Sequence, residues 1–147
     1  MDLPVMETHP TMLNVVALAL LDGAGRVLMQ RRPEARAHGG LWEFPGGKVE
    51  AGEGAAAALV REIAEELSIT IEEADLAPLT FAASPGDEKA RPLVLLLYTC
   101  RRWQGEPVPE PGAELEWLHP EALGALAMPP LDVPLAAALA LHVKNSQ

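Results

Sequence analysis

Residues 44–69 read FPGGKVEAGEGAAAALVREIAEELSI, and this stretch limits the folds open to the rest of the chain. Between residues 55 and 67 there is neither proline nor glycine, and Ala, Leu, Arg and Glu dominate, which predicts a helix over 55–67. At about 3.6 residues per turn, Ala56, Leu59, Ile63 and Leu67 fall on one face. Glu62, Glu65 and Glu66 fall on a neighbouring one, expected to be exposed. Such a helix has to lay its apolar stripe on another element.

The acidic stripe needs a reason. Carboxylates at i, i+3 and i+4 repel one another by roughly 0.2–0.5 kcal/mol per pair, and a divalent cation reverses the sign of that interaction. Mg²⁺ is hard and oxygen-seeking, and is typically held by a few carboxylates together with substrate phosphates. The competing reading is a solvated acidic surface with Arg61 neutralising one carboxylate. The preceding glycines favour the cation. Gly46 and Gly47, in an expected Pro-Gly-Gly turn, allow a backbone carbonyl to approach a metal or phosphate closely. Gly52 and Gly54 flank Glu53 and place it in an expected mobile turn ahead of the helix.

Gly47, five residues, Glu53, seven residues, Arg61-Glu62-Ile63, one residue, Glu65-Glu66, one residue, then Ser68-Ile69: this spacing resembles the Nudix box. The family has glycine where this chain has Ser68, and every other fixed position is filled. Glycine often closes a helix in the left-handed conformation, so Ser68 is expected to alter the helix end without touching a proposed metal ligand. The resemblance implies an α/β fold of the Nudix type, an α/β/α sandwich with a mixed β-sheet. It also implies hydrolysis of a nucleoside diphosphate linked to another group, with Mg²⁺, or Mn²⁺, as cofactor. Glu62, Glu65 and Glu66 are then metal ligands, joined by the carbonyl of Gly46. Arg61 would orient a carboxylate through paired hydrogen bonds, and Glu53 would assist the metal or its ligands.

A narrower resemblance, to MutT-type Nudix enzymes, spans about residues 15–139. It is carried by Arg31-Arg32, by residues 41–48 (LWEFPGGK), by Arg102-Trp103 with Gly105, by Trp117 and by residues 128–132 (MPPLD). These enzymes cleave nucleoside triphosphates, oxidised 8-oxo-dGTP among them, to monophosphate and pyrophosphate. Arg32, Phe44 and Arg91 match positions that surround the nucleotide there; the alternatives are a surface arginine, a core phenylalanine and a solvated loop charge. The subgroup also brings a loop glutamate back to the metals, and at the matching place this chain has Pro111, flanked by Glu110 and near Glu114. Glu110 is preferred over Glu114, with an ordinary loop carboxylate as the alternative.

Asp132 departs from the guanine-selective pattern, which has asparagine there. An amide donates and accepts hydrogen bonds, whereas an ionised aspartate only accepts. The Asp-Val-Pro-Leu run of residues 132–135 is similar to a relative acting on CTP and modified pyrimidine nucleotides. An acceptor suits either the amino group of cytosine or the N–H groups of oxidised guanine, so Asp132 marks base contact without choosing the base. A helix N-cap is the other role open to it. A non-hydrolysing nucleotide sensor is the reading from another class; intact box glutamates favour the enzyme.

At 147 residues, with 49% hydrophobic and 22% charged residues, the chain is read as one domain, residues 1–147, with its core at about 13–143. A formal charge of −10 disfavours a nucleic-acid polymer, whose phosphates call for lysine and arginine, and leaves a small nucleotide as the partner. The apolar runs at 15–21 and 93–98 are too short to cross a membrane. The acidic, proline-bearing start lacks a secretion pattern, and the single cysteine, Cys100, fits a reducing cytoplasm and a core position. Monomer and homodimer are both open.

Residues 1–11 read as a loose lead-in. Strands are predicted at 13–21 and 26–32 as a hairpin turned at 22–25, then at 76–83, at 93–100 as the central strand and at 115–118, with brief pairing at 69–71. Residues 33–40, containing a solvated His38, and 84–92 are expected as exposed loops, and 105–112 as an irregular one. A short helix is predicted from Pro120 and a final helix from 133 or 134 to 143.

Overall fold

In the computed structural model, residues 12–36 and 39–146 are described; the lead-in 1–11 and His38 lie outside them. The chain forms an α/β/α sandwich. Its strands are β1 (Leu13–Leu20), β2 (Val27–Arg31), β3 (Trp42–Glu43), β4 (Gly46–Lys48), β5 (Ala77–Ser84), β6 (Leu93–Cys100) and β7 (Glu114–Leu118). Its helices are α1 (Ala55–Leu67) and α2 (Asp132–Asn145), and 3₁₀ turns occupy Glu73–Asp75 and Pro120–Ala125.

The strands make two sheets, ordered β4-β1-β6-β5 and β3-β2-β7. The larger is mixed: β1 runs parallel to β6 and antiparallel to β4. The predicted hairpin is therefore corrected. β1 and β2 part into different sheets and share only the bridge Leu21↔Val27. The physical reason is that β1 spends both of its hydrogen-bonding edges on β4 and β6. Its turn does form, since Oδ1 of Asp22 accepts the N–H groups of Ala24 at 2.9 Å and Arg26 at 2.8 Å.

Both faces of β1 are buried, which is why its sequence is apolar without alternation. Val16, Leu18 and Leu20 join Ala58, Leu59, Ile63 and Leu67 of α1 in one core. Ala17, Ala19 and the following Leu21 join Leu135, Ala136 and Leu139 of α2 in the other. β6 is central as predicted, and residue 70 pairs with Gln104 as a brief bridge. Cys100 is a buried thiol in the α1 core, and burial pushes its pKa up.

Helix α1 has the predicted bounds. It ends at Ser68, whose φ of 60° and ψ of 29° are left-handed, with its N–H donated to the Ala64 carbonyl. Serine thus adopts the geometry in which glycine is the usual occupant, so the helix end is not altered. The expected turn at Pro45-Gly46-Gly47 is instead the strand β4, in register Ala17↔Gly46 and Val16↔Gly47. Neither glycine takes positive φ. What they provide is clearance: a Cβ on Gly46 would overlap the Val16 carbonyl oxygen, and one on Gly47 the Glu62 carboxyl.

Candidate active site

α1 packs on one face of the larger sheet with its acidic stripe against the edge strand β4, where the Glu62 carboxyl lies beside Gly47, and Arg61 gathers the carboxylates there. Its Nε and Nη2 donate to Oε2 and Oε1 of Glu53, each at 2.8 Å. Nη1 donates to Glu62 at 3.0 Å and Glu65 at 3.4 Å, and Nη2 to the Lys48 carbonyl at 3.1 Å. The paired bonds predicted for Arg61 are present, and their main recipient is Glu53. The turn expected ahead of the helix forms, with the Glu53 N–H donated to the Glu50 carbonyl at 3.0 Å, and the Glu53 carboxylate within it is engaged by the Arg61 clasp and by the Glu50 N–H at 3.1 Å. Hydrogen bonding from Arg61, then from that N–H, lowers the Glu53 carboxyl from 4.5 to about 2. Arg61 is held more firmly protonated by Glu53 and Glu62.

The stripe is less exposed than its spacing implies. Glu65 is an open side chain at 62%, but that of Glu62 is 20% exposed, and Glu66 is half-buried. Glu62 and Glu66 line a cavity of about 190 Å³ together with Gln30, Arg32, Arg36, Glu43, Gly46 and Glu110. Glu65 is not among its lining residues. Burial pushes the Glu66 carboxyl from 4.5 up to about 7, against a hydrogen bond from Gln30, and the negative charges of Glu43, Glu110 and Glu62 push the same way. Glu110 Oε2 also pairs with Arg36 Nη2 at 3.3 Å. Glu114 lies instead in β7, where Arg31 Nη1 donates to it at 3.2 Å. The structure thus brings Glu110, and not Glu114, to the box glutamates.

A second, largely apolar cleft of about 410 Å³ adjoins the first and shares Arg32, Glu43 and Gly46 with it. Val15, Phe44, Leu95, Leu131 and Asp132 also line this cleft. Phe44 is a core residue and a cleft wall at once. Arg32 Nε donates to Glu43 Oε1 at 2.6 Å. Asp132 is 5% exposed and accepts the Phe44 N–H on Oδ2 at 3.2 Å. Burial raises its carboxyl from 3.8 to about 7; the Phe44 bond opposes this, Glu43 reinforces it and Arg32 opposes it. The N-cap reading does not hold. The cap of α2 is Leu131, Asp132 is the first helical residue, and no side-chain cap bond forms. Arg91 stands apart, exposed on the loop between β5 and β6 and outside both linings.

Among the described residues, no three His, Cys, Asp or Glu side chains form a ready-made metal-holding group. The reason is visible in their partners, since Arg61 engages Glu62 and Glu65, and Gln30 engages Glu66. Filling the cavity with a cation requires these carboxylates to exchange a protein donor for it. The donor chemistry fits a hard divalent cation nonetheless. Four carboxylates line one small cavity, all its anionic donors are oxygen, and Glu66, raised first by burial, is raised further by negative neighbours that a cation would offset.

Two residues escaped the sequence reading. Gln30 is 4% exposed, and its Nε2 donates to Glu66 Oε1 and reaches Glu43 Oε1 at 3.5 Å. Its own Oε1 is buried with no hydrogen-bond partner. Glu43 joins the two clefts. Little in the sequence signals this: Gln30 follows the apolar run Val27, Leu28 and Met29 and begins the polar run Gln30-Arg31-Arg32, yet the strand buries it with the apolar residues.

A family model described as the NUDIX domain matches residues 10–139. The 8-oxo-dGTP diphosphatase of Escherichia coli K12 is 33% identical over 84% of this chain and 94% of its own. The CTP pyrophosphohydrolase of the same organism is 35% identical over 86% and 90%. Among solved structures, MutT from a study of Aliivibrio salmonicida and Vibrio cholerae superposes with a TM-score of 0.75 at 26% identity, covering 90% of this chain and 99% of that one.

Proposed function

The chain belongs to the Nudix family as a MutT-like hydrolase, and from that premise we propose that it converts (deoxy)nucleoside triphosphates, oxidised purine nucleotides such as 8-oxo-dGTP in particular, to monophosphate and pyrophosphate with Mg²⁺ or Mn²⁺. One observation carries this reading. The carboxylate cavity and the apolar cleft adjoin, with Arg32, Glu43 and Gly46 lining both, an arrangement suited to a polyphosphate joined to a flat base.

In this reading Glu62, Glu65 and Glu66, with the Gly46 backbone, hold the cation, and Glu110 supplies a further carboxylate from the opposite wall. The bound cation supplies charge neutralisation on adjacent phosphates and polarises the scissile bond. Arg61 keeps Glu62 oriented while Glu53 keeps Arg61 oriented, so the box acts through its own ion pairs before any ligand arrives. Glu62, Glu66 and Glu110, which all line the cavity, are the candidates to accept the proton of the attacking water. Arg32 and Lys48 line the cleft beside the cavity and offset phosphate charge. Phe44 and Leu131 give the base its apolar walls, and Asp132 offers it a hydrogen-bonding edge.

Asp132 also supports a second reading, a CTP or modified-pyrimidine pyrophosphohydrolase, because a carboxylate accepts from the cytosine amino group and a CTP pyrophosphohydrolase is among the relatives. A non-hydrolysing nucleotide sensor is the third. Incubation with Mg²⁺ and a panel of nucleotides, quantifying pyrophosphate and monophosphate, separates them. Preference for 8-oxo-dGTP is expected; preference for cytosine nucleotides selects the second reading, and tight binding without turnover selects the sensor.

A further inference from the structure

The position of Gln30 is hard to reconcile with a packing role alone. It sits in β2 after three buried apolar residues, and a methionine or leucine would fill the same space without a polar group. Its carbonyl oxygen is sealed from solvent and unpartnered, while its amide nitrogen serves two carboxylates. An amide that leaves its acceptor unsatisfied in order to aim its donor is placed for that donor. The two recipients belong to different halves of the site. Glu66 lies in the carboxylate cavity alone, whereas Glu43 also borders the apolar cleft and is paired with Arg32 there. The β2–β3 register reinforces the link, since Gln30 stands directly opposite Glu43.

We infer that Gln30 is a positioning residue that fixes Glu66 against the Arg32–Glu43 pair, so that the cation seat and the nucleotide seat are held at one spacing. This rests on the proposed function insofar as Glu66 is a cation ligand. Two carboxylates facing each other across a buried gap repel and turn apart; a neutral amide donating to both holds them without adding a charge that would compete with a cation. A lysine would provide the donor and exclude the cation, and a methionine would provide neither.

The test is Gln30→Met, close in shape but without a donor, with Mn²⁺ affinity measured on the free protein by titration calorimetry and kcat and KM measured separately on the preferred nucleotide. A roughly tenfold loss of Mn²⁺ affinity is expected, within the 10–100-fold range typical of residues that orient metal ligands, with kcat reduced and KM nearly unchanged. Mn²⁺ affinity equal to wild type overturns the positioning role, as does a wild type that binds no Mn²⁺. Weaker Mn²⁺ binding in a protein that turns over no nucleotide leaves the positioning role standing and removes the proposed hydrolysis instead. If Gln30→Met does not unfold cooperatively, Gln30→Asn, whose donor ends one methylene short of Glu66, is read by the same titration, with the same loss expected.

Discussion

Arg61 holds Glu53 edge to edge, Nε and Nη2 against the two carboxylate oxygens at 2.8 Å each. The folded protein keeps this carboxyl at about 2, below its ordinary 4.5. Unfolded chains therefore bind its proton first, and the pair's contribution is complete above pH 4.5 and lost as pH falls from there towards 2. Glu53→Gln cannot titrate. In denaturant unfolding at a series of pH values, the wild type is expected to lose more stability over that window than the variant; parallel curves would dismiss the clasp as a stabilising pair.

Glu62→Gln and Glu65→Gln test the cation assignment. Each is expected to lower kcat by about 10²–10³, the scale on which one preorganised electrostatic group acts, with the thermal midpoint little changed. Both side chains meet the protein chiefly through Arg61, and an amide oxygen still accepts from it. Wild-type rates in both variants would remove the box glutamates from the chemistry.

Asp132 gives a pH effect of the opposite sign. Its carboxyl is raised to about 7 in the fold from 3.8, so the folded state binds the proton more tightly. Its protonated form is favourable below 3.8, and the stability it lends declines as pH climbs to 7. Asp132→Asn has no charge to bury. The variant is expected to be more stable than wild type at pH 8 and to match it near pH 4, as read by thermal unfolding. It is also expected to change the ratio of rates on 8-oxo-dGTP and 5-substituted dCTP, and an unchanged ratio would show that this side chain does not read the base.

Ser68 sits at φ 60° where glycine bears no Cβ penalty. Relief of a left-handed penalty of roughly 1–2 kcal/mol, less glycine's entropy cost of roughly 0.5–1 kcal/mol, leaves Ser68→Gly expected to stabilise the protein by about 0.5–1 kcal/mol, raising the midpoint by roughly 1–4 °C. A lower midpoint would mean that its side chain does more than end the helix.

Helix α1, the central β6 and the terminal helix were legible because each is dictated by local pattern: propensity, an unbroken apolar run, alanine and leucine ahead of polar residues. The separation of β1 from β2 was not, since a tight turn says that two strands reverse and does not say whose edges they use. Glu62, Glu66, Asp132 and Phe44 were placed at one site by motif spacing and resemblance. The lining by Glu110 follows from how the loop before β7 returns to the box, which no local pattern encodes. Gln30 and Glu43 were passed over because a glutamine and a glutamate in short strands look like surface residues until pairing sets them opposite each other. The glycines of β4 were recognised as necessary, but what they need room beside, Val16 and Glu62, depends on chain segments distant in sequence.

The parallel pairing of β1 with β6, Leu13 opposite Leu93 through Leu20 opposite Cys100, also orders events in time. Strand β1 emerges from synthesis with a full row of backbone groups awaiting a mate that is translated only after the box helix and β5. Local contacts can shape α1 early, but closing so long a loop is slow. The wall bearing Glu110 comes later still. The carboxylate cavity is therefore among the last parts of the molecule to exist, and a ribosome-bound chain halted before β6 would display the acidic helix without the walls that face it.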